Sequence, residues 1–293
     1  MTDLTPKKKK KEEKAFSGRG YPIAEAGGRS FPSVTTIVDV VGKPALVPWA
    51  VKKERTFLIG VAADLWNTGA EFASREKYIE ALAAALGQEG QHKKAMSEAA
   101  DIGTVVHGAI ERNLRAQLGL PVPAQKKIEL SESQKDSARQ AYAAYLDWKT
   151  LTKFHPVEIE KRLYSLTDEY AGTMDTLGEG NLYNPYIYAD LVVGDWKTSA
   201  GIYLTACMQI SAYRKAYIEM GLHTQPRPLG GLIVRLPKTE EDPDFEARFI
   251  PEADMETYFQ HFLAAKALFW AVQEYERKFP WRAKKKATKK EAA

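Results

Sequence analysis

Apolar positions along this chain change their spacing near residue 150. Before it they recur every three or four residues, as on one face of an α-helix; after it, alternation and short apolar runs take over. The run Phe31-Pro32-Ser33-Val34-Thr35-Thr36-Ile37-Val38 sets Ser and Thr ahead of an apolar pattern and predicts a helix start. Gly42 and Pro44 end that element. A second helical pattern begins near Trp49, after Pro48, and continues through Ala81 to Leu86. It breaks at Gly87 and Gly90, resumes from about His92 to Leu118, and closes at Gly119 and Pro121. A further helix is predicted from about Ser131 to Thr150, with Ala141, Tyr142, Tyr145 and Trp148 near one face.

The second half reads differently. Val157, Ile159 and Leu163 lie on a partly alternating stretch with β character. Residues 170–177 and 186–196 read as strands, joined through the turn-rich Gly178-Glu179-Gly180-Asn181. A helix follows over 202–220 and ends at Gly221, then short strands over 231–236 and 245–250, and a long amphipathic helix over about 252–279. There is no internal repeat. The order predicts an α/β or α+β fold, a mixed central β-sheet flanked by helices, in a single domain spanning 19–281. Within it, about 31–150 is the helical N-terminal part and about 151–281 the α/β core.

Composition narrows the class. With 293 residues, 44% of them hydrophobic, the chain can bury a sizeable core. One cysteine, Cys207, excludes an intrachain disulfide and any four-cysteine zinc or iron–sulfur site, and suits a reducing, intracellular setting. No apolar run reaches the roughly 20 residues of a membrane helix, and no apolar stretch follows the N-terminal lysine run as a secretory signal requires. The net charge of +4 is unevenly placed. Removing twelve tail cations from 42 and four tail acids from 38 leaves residues 15–281 at about −4. The tails, 1–18 and 282–293, are expected to be disordered and basic, either simply solvated or acting as tethers to a polyanion.

The chemistry concentrates in Gly172-Thr173-Met174-Asp175 and, 20 residues after Asp175, Asp195-Trp196-Lys197-Thr198. Residues two apart on a strand share a face, so Asp195 and Lys197 project together and Trp196 turns away. Two carboxylates converging on one point can bind a hard divalent cation through oxygen. A lysine beside them can hold a water or steady charge on a phosphate. The plain alternative is an ordinary ion pair. Against it, Gly194 to Thr198 follows the strongly apolar run 187–193, so the acid and base emerge from a buried strand and their desolvation needs a reason.

Gly-Thr-x-Asp, then a strand ending Asp-Trp-Lys-Thr, then Gln209-x-x-x-Tyr213, resembles the nuclease core of the PD-(D/E)xK superfamily, most closely its RecB-type and phage exonuclease branch. Gly103-Thr104-Val105-Val106-His107 matches that branch's upstream helix motif, with Glu111 four residues later on the same face. Ser33-Val34-Thr35-Thr36-Ile37, with Lys43-Pro44-Ala45-Leu46 and Trp49-Ala50 behind it, is similar to the opening of phage-encoded members. The resemblance touches most of the chain from about 31 to 220.

It implies a restriction-endonuclease-like core and a site. Asp175 and Asp195 would bind metal, with the main-chain carbonyl of Trp196 as a further ligand. Lys197 would assist the attacking water and offset charge on the phosphate. His107 would face the same metal, although a histidine in an Ala/Val-rich helix also fits a core position. The acid expected on the first core strand is Glu160, with Glu158 two residues away left open. Gln209, Tyr213 and Thr198 would contact substrate or brace the site, although Gln209 and Tyr213 fit an ordinary amphipathic helix. Ser33 and Thr35 would either cap a helix or touch phosphate.

The implied cofactor is Mg²⁺, with Mn²⁺ able to substitute. One cysteine leaves no iron–sulfur cluster, and without a phosphate-binding Gly-x-x-x-x-Gly-Lys-Ser/Thr loop no ATP is used. The implied activity is hydrolysis of DNA at its ends, in phage-type recombination, replication or repair. The implied partners are DNA and a single-strand annealing or other recombination protein. No membrane is implied, an oligomer stays open, and the setting is cytoplasmic, that of the host if phage-encoded. The alternatives are a non-catalytic DNA-binding or assembly module with a nuclease-like fold, and a structure-specific endonuclease.

Overall fold

In the computed structural model, which describes residues 20–42, 46–67, 74–86, 90–181, 191–239 and 244–279, the helical spacing before residue 118 becomes α4 (Gln91–Gln117). Ile102, Val106, Ile110 and Leu114 stand four apart on one face of α4, and all are buried. The next helix, α5 (Glu132–Thr152), starts at a reciprocal cap. Ser131 Oγ accepts from Gln134 N at 3.3 Å, and Gln134 Oε1 accepts from Ser131 N at 2.7 Å. Its buried face, Ala138, Ala141, Tyr145 and Trp148, meets that of α4. Tyr142, expected on this face, is only partly buried against it.

These two helices cover one side of a five-stranded sheet with the order β3 (His155–Ser165), β4 (Tyr170–Glu179), β5 (Leu191–Lys197), β6 (Leu229–Arg235), β7 (Glu246–Ile250). All neighbours are antiparallel except β5 and β6, and a parallel pair requires a crossover, which α6 (Leu204–Glu219) supplies. α6 packs on the opposite face with α7 (Glu252–Lys278) and the short α1 (Val34–Val38). With both faces covered, Leu191–Trp196 of β5 and all of β6 are buried. A hairpin of β1 (Gly20–Pro22) and β2 (Ser30–Pro32) packs on Ala171 through Ile23 and Phe31. The fold is therefore the expected α+β arrangement, a mixed sheet flanked by helices.

Several boundaries differ from the sequence reading. The helix expected from Trp49 to Leu86 is two among the described residues, α2 (Leu46–Asn67) and α3 (Arg75–Leu86). Helical composition on both sides of the break conceals it. α2 begins three residues before Trp49, because Pro48 falls in its first turn, where no amide partner is needed. The helix start after Phe31 is present but short, with Ser33 as its cap. The basic tails, residues 43–45, Gly87 and the first part of the 186–196 strand lie outside the described residues. Among the described residues no single helix is long and apolar enough to cross a membrane.

β3 departs from alternation. Ile159 packs in the α4–α5 layer, yet Leu163, four residues on, is buried in the α6–α7 layer. The switch lies at Glu160, which has a φ of 50°, and a bulge between Pro156 and Glu158 leaves Val157 exposed. β4 switches at the matching place: Met174 and Leu177, three apart, share the α6–α7 layer. Glu160 and Asp175 thus stand opposite each other, between the pairs Ile159–Thr176 and Lys161–Met174.

The α4–α5 layer centres on aromatic rings around Trp196. Trp148 lies 5.1 Å from it and Tyr145 5.3 Å, both edge-on, and Phe154 lies 5.2 Å from Trp148. Trp148 is wholly buried, and its indole N–H has no hydrogen-bond partner among the described residues. Trp148→Ala should therefore lose about 3–5 kcal/mol in urea unfolding. Trp148→Phe, which sacrifices no hydrogen bond, should lose far less, and equal losses would show that ring volume is not what matters.

Candidate active site

The antiparallel pairing of β4 and β5 stops at Thr176–Gly194. One step further, the strands part, and a side chain takes over from the main chain: Trp196 N donates to Asp175 Oδ2 at 3.1 Å. Main-chain N–H and C=O of one strand residue project to the same side, so the Trp196 carbonyl faces this gap as well. Gly194 permits the close approach, since a Cβ there would stand 2.6 Å from Thr176 Cγ2. Gly172 does the same beside α6, where a Cβ would meet the Tyr213 ring at 2.6 Å.

Asp195 and Lys197 project together towards α6, as strand periodicity requires, while Trp196 enters the aromatic layer. Asp195 is 2% exposed. Lys197 Nζ donates to Asp195 Oδ1 at 3.0 Å and lies 2.7 Å from Oδ2, but it is not aligned for a hydrogen bond to that second oxygen. Asp195 Oδ2 is thus buried, near a cation, and accepts no hydrogen bond among the described residues. Lys197 also donates to Gln209 Oε1 at 3.0 Å, and Gln209 Nε2 donates to Tyr213 Oη at 3.4 Å. Gln209 and Tyr213 are both buried, so this face of α6 is a polar rack under the lysine.

From α4, His107 Nδ1 reaches Asp175 Oδ2 at 3.3 Å. The helix comes this close at Gly103, where a Cβ would stand 3.2 Å from Thr198 Oγ1. Glu160 enters from β3 beside Asp175. Glu158 is engaged elsewhere, accepting from Tyr217 Oη at 2.8 Å and pairing with Lys161 at 2.9 Å. The left-handed backbone at Glu160 separates two acids that alternation would have put on one face. Ser33 Oγ caps α1 by accepting from Thr36 N at 3.0 Å, and bonds Thr35 Oγ1 at 2.9 Å. Both Ser33 and Thr35 nevertheless line the cleft, which has a volume of about 530 Å³ and is also lined by His107, Glu160, Asp175, Gln209 and Tyr213.

The charges are mutually adjusted. Burial pushes Asp195 up, and the nearby Asp175 charge adds to that against the pull of Lys197, leaving it at about 6. Burial also acts to raise Asp175, but His107, Lys197 and the Trp196 amide outweigh it and hold the group below its ordinary value. Burial opposes the charged forms of His107 and Lys197, and the two aspartates override it and raise both. Glu160 is pushed up to about 7 by burial, then by Asp175 and Glu111.

Glu111 lines the cleft one turn beyond His107, and Arg115 Nε donates to its Oε1 at 2.7 Å. The sequence placed Glu111 on the His107 face without giving it a role. Arg112 and residues 123–126, which also line the cleft, were not anticipated. Arg112 is a lone cation on a helix and the 123–126 stretch has no periodicity to read.

The donor set suits a hard cation: carboxylate oxygens of Asp175 and Asp195, one of them the buried Asp195 Oδ2 that accepts no hydrogen bond among the described residues, and a main-chain carbonyl. Among the described residues no three His, Cys, Asp or Glu side chains converge tightly enough to enclose an ion alone. Mg²⁺ suits such a partial set, because it keeps several waters and binds through one or two carboxylates plus substrate oxygens. No protein-family model matches this chain, and no curated protein matches it.

The raised Glu160 carboxyl has a consequence for stability. Between its ordinary 4.5 and about 7, the folded protein keeps a proton that the unfolded chain has released, so stability falls as pH rises through that window. Glu160→Gln removes the effect. In EDTA the variant should exceed the parent by about 1–3 kcal/mol near pH 8 and converge with it below pH 4.5. Urea midpoints at the two pH values check this, and a parallel pair of curves would contradict it.

Proposed function

We propose that this chain is a metal-dependent nuclease of PD-(D/E)xK type that hydrolyses phosphodiester bonds at DNA ends. The observation that carries the reading is the convergence of Asp175, Asp195, Lys197 and His107, from three separate motifs, around one break in the sheet beside a cleft. An ordinary surface ion pair would not bury its acid to 2% exposure or hold its lysine on a buried glutamine.

Asp175, Asp195 and the Trp196 carbonyl would hold Mg²⁺ or Mn²⁺, which when bound polarises a phosphate and acidifies a water. Lys197 is fixed between Asp195 and Gln209, so its ammonium has one defined position from which to donate to the attacking water and offset charge on the phosphate. Tyr213 holds Gln209, and Gln209 holds Lys197, a bracing role that acts through the lysine. His107 orients Asp175. End-directed cutting, a role in phage-type recombination beside a single-strand annealing protein, and a cytoplasmic setting belong to the same reading and rest on the resemblance.

The test uses end-labelled linear duplex, linear single strand and closed circular DNA, each with Mg²⁺, Mn²⁺ or EDTA. Linear DNA should be degraded with metal and spared in EDTA, with the circle untouched. Lys197→Ala should lower the rate by at least about 100-fold, and Asp195→Asn should abolish it. Binding without cutting in every metal would favour a DNA-binding module instead.

Metal binding has its own readout. At about 100 times its dissociation constant, Mg²⁺ or Mn²⁺ should stabilise the fold by about 2.7 kcal/mol. The corresponding rise in thermal midpoint should vanish in Asp175→Asn. A rise retained in that variant would place the ion elsewhere.

A further inference from the structure

Glu160 and Asp175 occupy one wall of the cleft, and much of the rest of its lining has no part in the site described so far. α4 turns two adjacent rows towards this space. Gly103, His107 and Glu111 look to the acids, while Thr104, Gly108 and Arg112 stand one step round the helix and line the same cleft. Arg112 is half-buried and forms no ion pair among the described residues, whereas Arg115 is committed to Glu111. Its guanidinium folds back along the helix, with Nη1 3.4 Å from where a Cβ on Gly108 would stand. That is the direction helical side chains favour, and Gly108 leaves the space for it.

Across from α4 runs residues 120–131, which form neither helix nor strand. Pro121 and Pro123 restrict this stretch, and Lys126 near its middle lines the cleft. Lys126 is exposed and has no ion pair among the described residues. An irregular segment of this length beside a cleft is more than a connection needs. Arg112 and Lys126, neither in an ion pair among the described residues, therefore line a space that also holds Glu111, Glu160 and Asp175. A polyanion could enter such a space only if cations received it.

We propose that Arg112 and Lys126 form a phosphate-binding subsite for the backbone of the strand being cut, so that the strand passes between α4 and the 120–131 segment. The identity of the anion rests on the nuclease reading. Arg112 supplies a planar fork suited to phosphate oxygens, and Lys126 a mobile point charge.

The experiment measures binding rather than turnover. The full chain carrying Asp195→Asn is titrated into fluorescently labelled single strands and duplexes, in EDTA and in Mg²⁺, over a series of salt concentrations. Arg112→Ala should weaken binding by about tenfold and reduce the slope of log affinity against log salt by about one. Arg112→Lys should keep the slope, and Lys126→Ala should cost less than Arg112→Ala. Arg112→Gln, which preserves bulk, stands in if the alanine variant lowers the thermal midpoint. An equal loss with 5′-phosphate and 5′-hydroxyl strands would mean an internal phosphodiester; a loss confined to the phosphorylated strand would mean a terminal phosphate in the same subsite. Unchanged affinity in both Arg112→Ala and Lys126→Ala overturns the subsite and leaves the nuclease reading standing. A parent protein that binds neither strand nor duplex overturns both.

Discussion

A single substitution of partners in the sheet organises this protein: the amide of Trp196 is bonded to the carboxylate of Asp175 instead of to a backbone carbonyl of β4. Continuing the ladder past Thr176–Gly194 would satisfy the strand edge but fill the gap with main chain. Ending it without a replacement would leave a buried N–H unpaired, at a cost of about 1–3 kcal/mol. A side-chain acceptor resolves both problems. It lets the strands part, keeps β5 anchored, and fixes Asp175 beside Asp195. The aromatic layer completes the constraint, because Trp196 packed against Trp148 and Tyr145 prevents β5 from rotating. The direction in which Asp195 and Lys197 point is thereby set by hydrophobic packing on the opposite face.

This arrangement gathers like charges where water is scarce. Asp175 acts on both Asp195 and Glu160, Glu111 acts on Glu160, and Lys197, His107 and Arg115 oppose them. Glu160 adds backbone strain, since a non-glycine residue at φ 50° costs on the order of 1–3 kcal/mol. These costs fall in one small region, while stability comes from apolar layers on both sides of the sheet. The division resembles that of enzymes in general, in which a strained site is held by a packed scaffold.

How much of this was legible in the sequence varied with the kind of signal. α4 and α5 could be read because each has one uniformly apolar face and a clear end, Gly119 for one and the Ser131 cap for the other. Asp175, Asp195 and Lys197 could be read because strand periodicity and motif order agree on them. The choice between Glu158 and Glu160 could not, because period-two reasoning assumes an unbroken strand and the left-handed residue is Glu160 itself. The division of α2 from α3 was hidden by helical composition on both sides. Arg112 and Lys126 carried too little pattern: one is a lone cation on a helix, the other sits in a segment with no period at all.

The Trp196–Asp175 bond also changes what that amide can report. Neighbouring β5 amides are protected from solvent exchange by backbone partners, so they open only as the sheet opens. The Trp196 amide is protected by a carboxylate, whose hold depends on its charge and on what else it binds. Its hydrogen-exchange rate is therefore a local gauge of Asp175, responsive to protonation or to a cation drawing on the same oxygens while the rest of the strand stays unchanged. The protein thus carries, in one backbone N–H, an internal reporter of the state of its acids.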